Sequence, residues 1–213
     1  MTDLKTLDLL ATHPLFGILS EAARGRITAG SRLVDLGVGE ALFDQGDPSR
    51  EVYVVAEGRV AVGTMGEAGQ MVHFADLGPG AVLGEFAVID GAPRSAGAEA
   101  VTPARLLLLS GERVLEALRD EPGFALALLR DLTAKMRAAD VQIEERSTLS
   151  LEERLARFLR ANASDGVVSM TQAQIADRLG VSREATNRHL RALEAAGDIA
   201  LRRGTVTLIR AAL

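Results

Sequence analysis

The chain has 213 residues, 47% of them hydrophobic and only 3% aromatic, with 24 Lys and Arg against 29 Asp and Glu. That length supports one large or two modest domains, each with its own core, and the low aromatic share makes those cores aliphatic. There is no cysteine, which excludes disulfides, thiol catalysis and any cysteine-ligated zinc or iron–sulfur cluster. No run of about 18 apolar residues offers a membrane span and no signal-peptide pattern is present, so a soluble cytoplasmic protein is expected.

The formal charge of −5 is unevenly spread. Residues 150–213 carry 10 Lys and Arg against 7 Asp and Glu, net +3, and the rest of the chain carries 14 against 22, net −8. An acidic body with a basic end suits a phosphate-contacting module joined to something with another task.

Residues 1–30 read as two short helical pieces, 4–11 and 20–27, broken at His13-Pro14 and Gly17. Residues 31–110 change character to short Val- and Leu-rich runs separated by Gly, Asp and Pro, with strands predicted at 32–36, 41–43, 52–56, 59–65, 71–77, 97–101 and 105–109. Turns fall at Gly37 and Gly39, Gly46-Asp47-Pro48, Glu57-Gly58, 66–69, Gly78-Pro79-Gly80 and Thr102-Pro103. Many short strands with even turn spacing indicate an antiparallel roll or barrel.

A short amphipathic helix is predicted at 111–119, and Pro122 stands where the next one would start. The long helix that follows, 124–147, carries Leu129, Leu132, Met136, Ala139 and Ile143 at spacings of 3, 4, 3 and 4. That is an a/d seam able to pair two chains; the competing reading is a helix packed on its own roll. Ser150 with Glu153 forms a capping-box pattern that opens a helix over 151–162, with Leu155, Phe158 and Leu159 inward, and Asp165-Gly166 turns the chain.

Residues 171–193 then read as a helix-turn-helix. Thr171 caps the first helix, with Gln174 completing a capping box and Ile175 and Leu179 inward, and Gly180 ends it. Ser182 caps the second helix, whose apolar side is predicted as Ala185, Leu190 and Leu193, leaving Arg183, Glu184, Asn187, Arg188 and Arg191 outward. Arginine forks bond guanine O6 and N7, a carboxylate accepts from cytosine N4, and residues at a helix N-terminus reach deepest into a major groove. Beyond Gly197-Asp198, residues 199–202 and 206–209 form a hairpin around Arg203-Gly204, a wing whose Arg202 and Arg203 meet phosphates.

Val181-Ser182-Arg183-Glu184-Ala185-Thr186-Asn187-Arg188 resembles the V-S-R-E-T-x-x-R opening of the recognition helix in the catabolite activator (Crp/Fnr) family of transcription regulators, with Ala185 the one departure. Gly84-Glu85-Phe86-Ala87-Val88-Ile89-Asp90-Gly91-Ala92-Pro93-Arg94-Ser95-Ala96 is similar to the phosphate-binding cassette of cyclic-nucleotide-binding domains, and the run from Val52 to Val62 to the family's strand-turn-strand before it. The resemblance extends from about Phe16 to the C-terminus. It implies an α+β fold: an N-terminal antiparallel β-roll of the cyclic-nucleotide-binding jelly-roll type over residues 1–120, a long dimerisation helix over 121–149, and a C-terminal winged helix-turn-helix over 150–213.

A cyclic phosphate needs an anion site, which the N–H groups opening a helix at 85–89, the Arg94 fork and the Ser95 hydroxyl supply, while Gly84 lets the backbone come close. A carboxylate beside an anion needs a donor between them, so Glu85 is assigned to the ribose 2′-OH; Phe86 completes the predicted set. The competing reading pairs Glu85 with Arg94 in an empty roll. The family's cyclic-AMP activator carries adjacent Thr and Ser on the long helix to reach the purine, whereas this chain has Ala139, Asp140, Ile143 and Glu144 there, which leaves cAMP and cGMP both open. His13, His73 and His189 are far apart and carry no expected ligand role, and a haem at His73 lacks the surrounding family residues. No metal or catalytic site is expected, because no His/Asp cluster or nucleophile–base pair accompanies Glu85 and Arg94.

The expected protein is therefore a homodimeric regulator under the control of a cyclic nucleotide, cAMP or cGMP. Its expected partners are double-stranded DNA with an inverted repeat and RNA polymerase, and no membrane. The DNA contacts fall to Thr171, Ser182, Arg183, Glu184, Asn187, Arg188 and Arg203. The alternatives are a regulator of the same type that senses another ligand or none, and a cyclic-nucleotide-binding regulatory protein whose helical end binds protein.

Overall fold

The computed structural model describes residues 9–65 and 71–209, with the backbone alone at Met71. The described residues divide into two compact units, one of 9–64 and 74–136, the other of 65, 71–73 and 137–209.

In the first unit, a 3-10 turn (Phe16–Ile18) and helix α1 (Glu21–Thr28) precede strands β1 (Arg32–Leu36), β2 (Ala41–Phe43), β3 (Glu51–Glu57), β4 (Val60–Met65), β5 (Met71–Leu77) and β6 (Val82–Leu83). Helix α2 (Glu85–Asp90), strands β7 (Gly97–Ala100) and β8 (Ala104–Ser110) and helix α3 (Gly111–Asp120) follow. Two four-stranded sheets result, in the orders β1-β8-β3-β6 and β2-β7-β4-β5. The ladders around β8 and β7 are antiparallel, with Tyr53 opposite Leu108 and Val60 opposite Ala100. Their inner faces enclose Tyr53 among the aliphatic Val55, Val60, Leu83, Ala98, Ala100 and Leu106. A second apolar cluster lies where the helices cover β3 and β8, built on Phe16, Ile27, Val54, Leu107, Leu109, Phe124 and Leu128.

The seven strands expected from the sequence are present within one residue at each end. The two-residue β6 was not expected, since a strand that short shows no alternation. The expected helix at 4–11 lies mostly outside the described residues; 9–11 are helical, and the expected turn at 66–69 also falls outside them. His13 is buried as a structural cap. Its Nδ1 accepts from the N–H of Leu15 (3.0 Å) and Phe16 (3.4 Å), which leaves Nε2 to donate to the Gly80 carbonyl at 2.8 Å. Burial holds its pKa below the ordinary histidine value, in keeping with that neutral tautomer.

Helix α4 (Pro122–Thr148) begins at the predicted proline. Phe124 and Leu128 are buried on one side, and Leu132 packs partly against the same cluster. Leu129 (60% exposed), Met136 (63%) and Ile143 (63%) lie on the other, and Ala139 is exposed as well. The spacing of four in Phe124, Leu128 and Leu132 makes the face that covers the roll, and the heptad spacing of Leu129, Met136 and Ile143 makes a separate outward stripe. Leu132 therefore belongs to its own core more than to an outer seam.

The second unit packs helices α5 (Leu151–Asn162), α6 (Gln172–Leu179) and α7 (Arg183–Ala195) with a three-stranded sheet, order β10-β11-β9, of β9 (Val167–Val168), β10 (Ile199–Arg202) and β11 (Thr205–Leu208). Leu155, Leu159, Val168, Ile175, Leu179, Leu190, Leu193, Ile199 and Val206 form its core. Both predicted capping boxes exist: the Ser150 hydroxyl accepts from the Glu153 N–H, and the Glu153 carboxylate accepts from the Ser150 N–H at 2.8 Å. Thr171 and Gln174 repeat the arrangement at the head of α6. Among the described residues, no helix is long and apolar enough to cross a membrane.

Candidate ligand site and nucleic-acid interface

Gly84 enters α2 at φ +82°, a left-handed conformation that glycine adopts without strain. A Cβ there would run into Arg94 Nη1 and stand 2.7 Å from the Glu51 carbonyl oxygen, so the residue must be glycine for the Arg94 side chain to pass. Arg94 is only 3% exposed. Its Nε donates to Ser49 Oγ at 2.9 Å, Nη1 to the Gly84 carbonyl at 2.8 Å and Nη2 to the Glu51 carbonyl at 2.8 Å. The Phe43 ring lies 4.4 Å and the Tyr53 ring 5.8 Å from its central carbon. Of the five N–H groups of an arginine, those three bonds leave one on Nη1 and one on Nη2. Burial pulls the Arg94 pKa below the ordinary arginine value, while Tyr53, Glu51, Asp47 and Glu85 oppose it; a guanidinium stays charged through such a shift.

Glu85 is 5% exposed. Its Oε1 accepts from Lys135 Nζ of α4 at 2.6 Å, and the same ammonium donates to the Val82 carbonyl at 3.1 Å and pairs with Asp131 at 3.0 Å. Burial works against the Lys135 charge, but the Glu85 and Asp131 carboxylates more than offset it and hold its pKa above the ordinary lysine value. The competing expectation of a Glu85–Arg94 pair is thus not what forms: Glu85 takes Lys135, and Arg94 takes Glu51, whose carboxylate is 3.7 Å away. Ser95 is exposed beside Arg94, and Phe86 lies half in solvent on the outer side of α2. Arg50 holds the far end of α2 by donating to the Ala87 and Gly91 carbonyls. Lys135 and Ser49 were not singled out in the sequence; each stands more than forty residues from its partner, and no local pattern marks it.

In the second unit Gly180 closes α6 at φ +65°, its N–H on the Asp177 carbonyl and the Val181 N–H on that of Ala176. Ser182 then caps α7, its Oγ accepting the Ala185 N–H at 3.1 Å. Arg154 of α5 donates to the Leu179 carbonyl and fastens the end of α6. The inward set of α7 is Thr186, Leu190 and Leu193. Thr186 and not Ala185 is the buried residue of the first turn, because spacings of four and three align it with Leu190 and Leu193. Arg183, Glu184, Arg188 and Arg191 are exposed, and Asn187 is half-buried. Thr171, Ser182 and Arg203 are exposed too, the last in the β10–β11 turn with Gly204 at φ +78°. The Glu194 carboxylate accepts the Leu201 N–H at 2.9 Å, so the far end of α7 is tied to the wing. Among the described residues no group of His, Asp and Glu is arranged to hold a metal ion.

A jelly roll with a phosphate cassette and an exposed arginine face on a capped recognition helix define the class: a ligand-sensing, DNA-binding regulator. Residues 33–121 match the cyclic nucleotide-binding domain family, and residues 153–213 match the Crp-like helix-turn-helix domain family. The chain is 35% identical over 178 residues to the Cyclic AMP receptor protein of Thermus thermophilus, covering 82% of each chain. It is 25% identical over 193 residues to the CRP-like cAMP-activated global transcriptional regulator of Mycobacterium tuberculosis, covering 86% of each. The crystal structure of a transcriptional regulator of the Crp/Fnr family from Eubacterium rectale superposes with a TM-score of 0.83 at 20% identity, over 93% of this chain and 94% of that one. The chain belongs to the Crp/Fnr family of transcription regulators. It carries a cyclic nucleotide-binding domain and acts as a ligand-responsive DNA-binding regulator.

Proposed function

We propose that the ligand is a cyclic nucleotide, cAMP or cGMP, and that its binding controls how a cytoplasmic homodimer reads an inverted repeat in double-stranded DNA. The observation that carries this reading is the Arg94 fork: a buried guanidinium keeps one N–H on each terminal nitrogen beside the exposed Ser95 hydroxyl, at the opening of α2. Glu85 takes the ribose 2′-OH and Arg94 with Ser95 the phosphate. RNA polymerase is the further partner such a regulator meets on DNA, and no residue acts as a catalyst.

Calorimetric titration of the purified protein with cAMP and cGMP tests the ligand. Saturable binding of either supports the assignment, and the absence of a saturable signal with both removes it. Equal affinity for both nucleotides would exclude any role of the exposed Asp140 and Glu144 carboxylates in selecting the base. A second reading, a regulator that senses another ligand or none, is favoured by one observation: Lys135 already occupies the carboxylate assigned to the ribose.

The dimer is assigned to the outward stripe of α4, with Leu129, Met136, Ala139 and Ile143 at its centre and Leu132 on its inner edge. Three large apolar side chains more than half exposed at heptad spacing are costly unless covered, and a two-fold copy of the same helix covers them. Leu129→Glu with Met136→Glu is expected to give monomers by light scattering; an unchanged dimer would place the interface elsewhere. Leu132 is left intact in this test because its loss would also damage the core it packs on.

A further inference from the structure

The loop between β2 and β3 is sewn to the residue that the ligand reading depends on. Gly46, at φ +90°, donates its N–H to the Arg94 carbonyl at 2.9 Å, and the Arg94 N–H donates to the Asp47 carbonyl at 2.9 Å. Inside the loop, the Asp47 carboxylate accepts the Asp44 N–H at 3.0 Å and closes a tight turn. Pro48 restricts the next step, and Ser49 emerges two residues beyond Asp47, where its Oγ takes the Arg94 Nε–H at 2.9 Å.

Two carbonyls, of Gly84 and Glu51, hold the terminal nitrogens of the guanidinium. Two points leave a plane free to tilt about the line that joins them. The Phe43 ring, 4.4 Å from the central carbon, blocks the tilt on one side, and the third hydrogen bond, to Ser49, removes what is left.

We propose that Ser49 is a positioning residue of the anion site: by accepting the Nε–H it fixes the plane of Arg94 so that the spare N–H groups of Nη1 and Nη2 meet the two exocyclic oxygens of a cyclic phosphodiester in one orientation. This rests on the cyclic-nucleotide reading above and names the feature by which that site tells its two phosphate oxygens apart. The hydroxyl acts through Arg94, so its removal changes the geometry of the fork while the charge remains.

The probes are cAMP and its Sp and Rp phosphorothioates, in which one or the other exocyclic oxygen is sulfur, titrated by calorimetry against the full chain and its Ser49→Ala and Ser49→Thr variants, with thermal melts to establish that each is folded. The wild-type protein is expected to prefer one diastereomer. In Ser49→Ala, cAMP binding weakens by about tenfold, as for one hydrogen bond to a charged group, and the Sp/Rp preference falls by a similar factor. Ser49→Thr restores both, since it keeps the hydroxyl. A folded Ser49→Ala protein with unchanged affinity and unchanged diastereomer preference overturns the role of Ser49 and leaves the ligand assignment standing. A wild-type protein that binds neither these three nor cGMP overturns both.

Discussion

Arg94→Ala is expected to abolish measurable cyclic-nucleotide binding and, at the same time, to destabilise the roll by about 3–5 kcal/mol, the range for removing one partner from a buried charged network. The residue is 3% exposed, and its side chain gives one hydrogen bond each to Ser49, Gly84 and Glu51. Truncation leaves two carbonyls and a hydroxyl without their donor and opens a void against Phe43 and Tyr53. Calorimetry measures the first effect, and denaturant titration of the full chain, with probes for each unit followed separately, measures the second. Arg94→Lys recovers the charge but cannot reach three acceptors in one plane, so it is expected to fall between the two. Because lost stability could by itself abolish binding, Ser95→Ala is the separating variant: an exposed hydroxyl leaves, binding weakens by about tenfold and the melt stays where it was. An Arg94→Ala protein with the wild-type melt and wild-type affinity would show that the ligand, if any, binds elsewhere.

How far the sequence could be read depends on how local each feature is. The strands of the roll were legible because Gly, Pro and Asp punctuate them at close intervals, as at Gly58, where φ is +80° and a Cβ would stand 2.7 Å from Ala104 Cα. Both capping boxes and the Gly180 turn were legible for the same reason, since each is a pattern of three or four residues. Strands β6 and β9 were not, being too short to alternate. On α4, Leu129 and Leu132 looked alike, because two apolar stripes on one helix share a spacing of three and four until the core claims one of them. Thr186 was passed over as polar, although its methyl suits the buried side of α7. Lys135 on Glu85 and Ser49 on Arg94 join elements 50 and 45 residues apart, which only the folded sheet brings together. The cassette thus named the residues proposed to face the ligand, and the fold supplied what holds them.

The proposed base readers give the other large effect. Arg183 and Arg188 are both exposed on α7 and stand five residues apart, about 7.5 Å along the helix axis, so they reach different base pairs. Glu184, beside Arg183 in the first turn, is placed to accept from a cytosine on the opposite strand. Two guanines and one cytosine per half-site follow, similar to the TGTGA element of the family. The proposed two-fold dimer would repeat the set after one turn of DNA, about 34 Å, and its operator is expected to be an inverted repeat. Arg188→Ala is expected to cost about 1–3 kcal/mol in each half-site and to relax the preference at one G·C pair there, so a palindromic site loses twice that. Arg203→Ala, in the turn between β10 and β11, removes a phosphate contact instead: all sequences weaken alike and the salt dependence becomes shallower. Selection from random duplexes, repeated with each variant across a range of salt, separates the two patterns. A wild-type selection without an inverted repeat, or a G·C preference that survives Arg188→Ala, would take the reading role away from this face of α7.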